Sequence, residues 1–123
     1  MDATIIACGI MVDESLKAAE LLSEENIEVR VINMSTIKPL DIKTIKKAAK
    51  ETGAIVTAED HSCLGGLGGA VAEAVSEAHP VPIVRVGIQD TFGESGEHLE
   101  LMAKYGLTSK EIVQAARTIV RAR

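Results

Sequence analysis

Four short β-rich runs punctuate this chain at regular intervals, and each gives way to a longer stretch with helical spacing. Residues 4–8 (TIIAC), 28–33 (EVRVIN), 54–59 (AIVTAE) and 83–88 (IVRVGI) read as strands. The first and third are almost wholly apolar, as central strands buried on both faces must be. The second alternates Val29, Val31 and Asn33 with Glu28, Arg30 and Ile32, a weaker pattern that suits a sheet edge. Strand–helix alternation of this kind leads to parallel strands joined by right-handed crossovers. The expected fold is an α/β domain on a mainly parallel four-stranded sheet.

The helices announce themselves by period and by their ends. Leu16, Ala19 and Leu22, flanked by Ala18 and Leu21, predict an apolar stripe on a helix over about 13–25. Ile42, Ile45 and Ala49 predict another over 41–52, with Asp41 as N-cap after Pro39 and Gly53 as the C-terminal stop. Val71, Ala74, Val75 and Ala78 mark a third helix ending before His79-Pro80. Leu99, Leu101 and Met102 suggest a short helix stopped at Gly106. A last helix opens on the capping-box signature of Thr108-Ser109-Lys110-Glu111 and carries Ile112, Val113, Ala116, Ile119 and Val120. No repeat, low-complexity tract or linker interrupts the 123 residues, so one domain spanning 1–123 is expected.

Composition narrows the function. Hydrophobic residues make up 46% of the chain but aromatics only 2%, so the core is aliphatic and stacking platforms for single-stranded nucleic acid are absent. A formal net charge of −5 with interspersed signs disfavours phosphate backbones. Arg117, Arg121 and Arg123 form a small basic exception, read as a solvated helix end favoured by the helix dipole. Two cysteines are too few for a disulfide scaffold. No apolar run is long enough for a membrane span and the start is no signal peptide, so the cytoplasm is the expected compartment.

In open parallel sheets, ligands sit beyond the carboxyl ends of the strands. The richest segment there is residues 59–69, EDHSCLGGLGG. Gly65, Gly66 and Gly68 permit a tight turn with amides exposed at a helix N-terminus, a shape for a phosphate or carboxylate; close packing of helix on sheet is the competing reading. His61 suits acid–base work or pairing with Asp60 across a subunit boundary, against the plainer reading of a hydrogen-bonded loop histidine. Cys8 and Cys63 with Asp60 and His61 lack the spacing of a zinc site. Phe92, beside Gly93 and Gly96, is an anchor for a partner or for its own domain. Asp60, His61, Gly65, Gly66, Gly68 and Phe92 together form the candidate anion or interface site.

Three runs then add up to a resemblance. Ile37-Lys38-Pro39-Leu40-Asp41 resembles the hydrophobic-Lys-Pro-hydrophobic-Asp turn of transketolase C-terminal domains. Ala58-Glu59-Asp60-His61, followed by Gly65-Gly66-Leu67-Gly68, is similar to their acidic-His and glycine-rich segment. Phe92-Gly93-Glu94-Ser95-Gly96, with Leu101 and Lys104-Tyr105-Gly106-Leu107-Thr108, resembles their ending. The resemblance runs from about Ala3 to the last helix and includes deoxyxylulose-phosphate synthases and the beta chains of 2-oxoacid dehydrogenases. Asp60-His61 and Glu94-Ser95-Gly96 pull it toward transketolase proper.

That resemblance implies an enzyme that moves a two-carbon ketol unit between sugar phosphates with thiamine diphosphate and a divalent cation, as in pentose phosphate metabolism. It also implies that the cofactor, cation and substrate ligands lie on two other domains. No catalytic, cofactor-binding or metal-binding residue carries over to this chain. The expected role is assembly and dimer contacts, with the remaining transketolase domains or an N-terminal subunit as partner and a homo-oligomer as its state. The resemblance implies a three-layer α/β/α sandwich on four parallel strands ordered 2-1-3-4, with residues 28–33 at an open edge and the family's antiparallel edge strand missing, and the chain alone is expected to be inactive. The alternative is a stand-alone domain that binds a small anion through the glycine-rich turn.

Overall fold

In the computed structural model the described residues are 1–9, 11–34, 41–59, 67–87 and 109–122. Strands β1 (Ala3–Ala7), β2 (Val29–Asn33), β3 (Ile55–Glu59) and β4 (Ile83–Gly87) alternate with helices α1 (Met11–Glu24), α2 (Ile42–Thr52) and α3 (Leu67–Ala78), and α4 (Ser109–Ala122) follows. The strands form one four-stranded sheet in the order β2-β1-β3-β4. Every pairing is parallel, and Ile5 faces Val31 on one side and Val56 on the other. The strand patterns predict the parallel sheet and the family resemblance its order, with β2 at one edge and β4 at the other.

Period-two alternation divides the sheet residues between two cores. Ala3, Ile5, Ala7, Val56, Ala58 and Val86 point to the layer formed by α1 and α4, where Met11, Leu22, Ile112 and Ile119 meet them. Ile6, Cys8 and Ile55 point the other way, toward Ile45 and Ala49 of α2 and Leu67, Val71 and Val75 of α3. Each fully buried Ile or Leu contributes about 1.5–3 kcal/mol by leaving water. These two aliphatic layers replace the aromatic core that the composition withholds.

The helix ends of α2 match their sequence signals. The Asp41 carboxylate accepts from the Thr44 amide at 3.1 Å and from its hydroxyl at 2.7 Å. Those bonds from Thr44 hold the Asp41 carboxyl below its usual range. Gly53 takes the left-handed conformation, φ 71°, and its amide bonds the Ala49 carbonyl at 3.0 Å. Helix α3 buries Val71, Ala74 and Val75 as spaced. The Ala78 side chain, residues 35–40, the short helix expected near 99–105 and the Thr108 cap lie outside the described residues.

Helix α1 departs from its predicted stripe. Its buried residues are Met11, Ser15, Ala18 and Leu22, whereas Leu16 and Leu21 are exposed. The helix starts two residues earlier than the spacing predicts, which brings Met11 onto the sheet. Ser15 is tolerated there because its hydroxyl donates to the Met11 carbonyl at 2.7 Å. Ile42 also differs, lying half exposed at the start of α2 rather than on its buried face.

Candidate functional site

The carboxyl end of the sheet is where β3 and β4 run out beside the first turn of α3. Side chains of Ile55, Thr57 and Glu59 share the α2–α3 face, since alternate residues of a strand share a face. Register places Arg85 beside Thr57 and Gly87 beside Glu59. At Gly87, a Cβ would stand 3.0 Å from the Glu59 Cγ and 3.2 Å from its carbonyl oxygen, so glycine there lets the Glu59 side chain lean across the edge strand. Glu59 Oε2 then accepts the Gly68 amide of α3 at 3.3 Å.

Gly68 is required by close approach. A Cβ at that position would collide with the Arg85 Nε and sit 3.1 Å from the Thr57 hydroxyl oxygen. The bare backbone lets the Arg85 guanidinium lie against the helix start. Beneath it Thr57 is fully buried, and its hydroxyl has no hydrogen-bond partner. A buried unpaired hydroxyl costs about 1–3 kcal/mol, so its position calls for a reason.

Two other arginines behave differently. Arg30 on β2 donates to both carboxylate oxygens of Glu51, at 3.1 and 3.4 Å. Arg117 on α4 reaches both oxygens of Glu25 beyond α1, which corrects the reading of that helix end as merely solvated. Its bonds hold the Glu25 carboxyl below the usual range, and those of Arg30 do the same for Glu51. These displaced groups are exposed structural pairs on the helix layers. None belongs to the carboxyl end of β3 and β4.

A second helix N-terminus at the same end receives a distant carboxylate. The Ser109 amide of α4 donates to Glu14 Oε2 at 2.9 Å, across from α1. Sequence reasoning missed Glu14, Thr57 and Arg85. Only the last two left a trace, as polar residues in otherwise apolar strands.

Of the predicted site, Gly68 is at this corner; Asp60, His61, Gly65, Gly66 and Phe92 lie outside the described residues. Cys8 is buried and disulfide-bonded, so it offers no thiolate to a metal. Among the described residues no group of three His, Cys, Asp or Glu side chains is placed to hold a metal ion. No helix among the described residues is long and apolar enough to cross a membrane.

Comparison with known proteins places this geometry. The family model for the transketolase C-terminal domain matches residues 1–112. A 6-deoxy-6-sulfo-D-fructose transketolase subunit of Clostridium sp. (strain MSTE9) is 51% identical over 118 residues, 96% of this chain and 37% of that protein. The 1-deoxy-D-xylulose-5-phosphate synthase of Trichormus variabilis is 45% identical, covering 92% of this chain and 18% of the enzyme. A solved split-gene transketolase, described as an inactive beta4 tetramer, superimposes with a TM-score of 0.90 at 48% identity, covering 98% of this chain and 39% of that one. The chain thus spans well under half the length of each protein it matches.

Proposed function

The chain belongs to the transketolase C-terminal domain family, and from that membership we propose that it is the C-terminal body of a thiamine-diphosphate-dependent transketolase, acting in assembly rather than in chemistry. The observation that carries this reading is the pairing of near-complete coverage of the chain with 37–39% coverage of its transketolase relatives. In those proteins the polypeptide beyond this domain is the larger part. Thiamine diphosphate, its cation and the sugar-phosphate ligands are accordingly assigned to a companion chain or to domains outside these residues. The compartment is the cytoplasm.

Two features support a docking role. The sheet ends in two edge strands, β2 and β4, and an exposed edge is a template for pairing with another chain. Apolar side chains also stand out on the helix layers at Leu16, Leu21 and Ile42. Self-association follows as a further expectation, since the similar split-gene structure is a tetramer of beta chains. Light scattering on the purified chain should report an oligomer; a monomer at all concentrations would remove that part.

The deciding experiment is co-purification with a chain that carries the thiamine-diphosphate motif Gly-Asp-Gly and a distal Asn-Asn, followed by a ketol-transfer assay. A stable complex that transfers the ketol unit, with neither chain active alone, is the expected result. Turnover by the 123-residue chain without help would contradict it. The 45% identity to a 1-deoxy-D-xylulose-5-phosphate synthase favours a second reading, that the parent enzyme makes that product instead. Assaying the same complex for 1-deoxy-D-xylulose 5-phosphate separates the two.

A further inference from the structure

We propose that Arg85, the Thr57 hydroxyl and the first turn of α3 form a seat for a small oxyanion, a phosphate or a carboxylate, at the carboxyl end of β3 and β4. Four observations converge there. Helix α3 runs for 12 residues, and its start carries the positive end of the helix dipole, with the Gly68 amide already donating to Glu59 Oε2 at 3.3 Å. Thr57 is 0% exposed and its hydroxyl is unpartnered. That hydroxyl points at the same turn, 3.1 Å from where a Gly68 Cβ would sit. The Arg85 guanidinium lies over the same spot, in space that exists only because residue 68 has no side chain.

The contrast among the arginines gives the seat its sign. Arg30 and Arg117 each spend their fork on a glutamate. Arg85, like Arg121 at the helix end, takes part in none of the ion pairs among the described residues, but Arg85 alone of the two stands beside a helix start, where the Glu59 carboxylate also reaches. A planar guanidinium beside a hydroxyl donor and a helix start matches the oxygens of a phosphate or carboxylate, which accept several short charge-assisted bonds at once. A ligand oxygen there would also give the Thr57 hydroxyl its missing acceptor.

Glu59 already occupies part of this seat. Its Oε2 accepts from the Gly68 amide at 3.3 Å, long for a charge-assisted bond. The turn therefore takes a carboxylate from its own chain, and an incoming oxyanion must compete with it. Removing the Glu59 charge should tighten the site, an effect that a purely structural arginine would not produce.

The test uses the full 123-residue chain. Inorganic phosphate and, separately, acetate are titrated at constant ionic strength while the backbone amide resonances of Thr57, Gly68 and Gly69 are followed by NMR. Saturable shifts centred on those amides are expected with at least one of the two anions, and which one saturates assigns phosphate or carboxylate. Arg85→Gln should weaken that binding roughly 10-fold and Thr57→Val roughly 3-fold, whereas Glu59→Gln should tighten it several-fold. Arg85 is exposed and Thr57→Val keeps shape, so both variants should fold, with the remaining amide spectrum as the check. Shifts that fail to saturate with either anion would overturn the proposal. So would saturation that survives Arg85→Gln unchanged, or that weakens in Glu59→Gln.

Discussion

Two buried threonines on one face of the sheet have opposite surroundings. At the amino end, the Thr4 hydroxyl of β1 is hydrogen-bonded to Thr52 Oγ1 at 3.0 Å, and the Thr52 hydroxyl lies 2.9 Å from the Ala48 carbonyl and 3.1 Å from that of Ala54. That end is closed further by Asp2 and Glu28, whose backbones join at 2.7 Å while Asp2 Oδ2 accepts the Glu28 amide. Toward the carboxyl end, two rows further on, Thr57 in the middle of β3 is as deeply buried and has no partner. The same residue type thus serves as a seal at one end and stands unsatisfied at the other. In parallel α/β sheets the carboxyl end is where ligands go. The unpaired Thr57 hydroxyl fits the proposed oxyanion seat, while the bonds at the amino end contribute stability.

Three changes probe how far that division holds. The largest effect belongs to Ile6, fully buried and the direct register neighbour of Thr57 across the β1–β3 pair. Ile6→Ala should cost about 3 kcal/mol in urea denaturation, because the cavity opens in the α2–α3 core. A loss under about 1 kcal/mol would mean that this layer is not the packed body on which both ends depend.

Next comes Gly53, which closes the amino end from α2. Its φ of 71° is left-handed and a Cβ there would touch nothing within 4 Å, so Gly53→Ala isolates the backbone cost. A destabilisation of about 1 kcal/mol is expected. A neutral result would show that the α2 stop contributes little to the seal.

The smallest effect concerns the exposed Glu25–Arg117 pair, which ties the end of α1 to α4. Glu25 has a folded pKa held below its ordinary value of 4.5 by the Arg117 bond. A depressed carboxylate stabilises the fold above its unfolded pKa, and that contribution disappears as pH falls through the folded value. The Tm difference between the wild type and Arg117→Gln should therefore be small at neutral pH and vanish in acid and in high salt. A difference that grows in acid would contradict the sign.

The sequence disclosed what is encoded locally. Strand positions followed from apolar patterning and their order from the family resemblance, and both ends of α2 followed from Asp41 and Gly53, because each cap involves a partner within one helical turn. The face of α1 was misjudged because Ser15 satisfies itself on the Met11 carbonyl and can be buried, which no hydrophobic period reports. The corner at β3 and β4 was half legible. Gly68 stood in a conspicuous glycine run, but its reason is Arg85, which becomes a neighbour only through the parallel register of two strands. Glu14 reaching the Ser109 amide is of the same long-range kind.

The sealed-versus-unsatisfied contrast is tested most directly by urea denaturation of two isosteric variants measured side by side. Thr4→Val should lose about 1 kcal/mol, the net worth of its bond to Thr52, while Thr57→Val should lose nothing and gain up to about 1 kcal/mol by removing a stranded hydroxyl. Equal losses at both positions would contradict the account, since Thr57 would then be another structural bond and the carboxyl end of β3 no different from the amino end of β1.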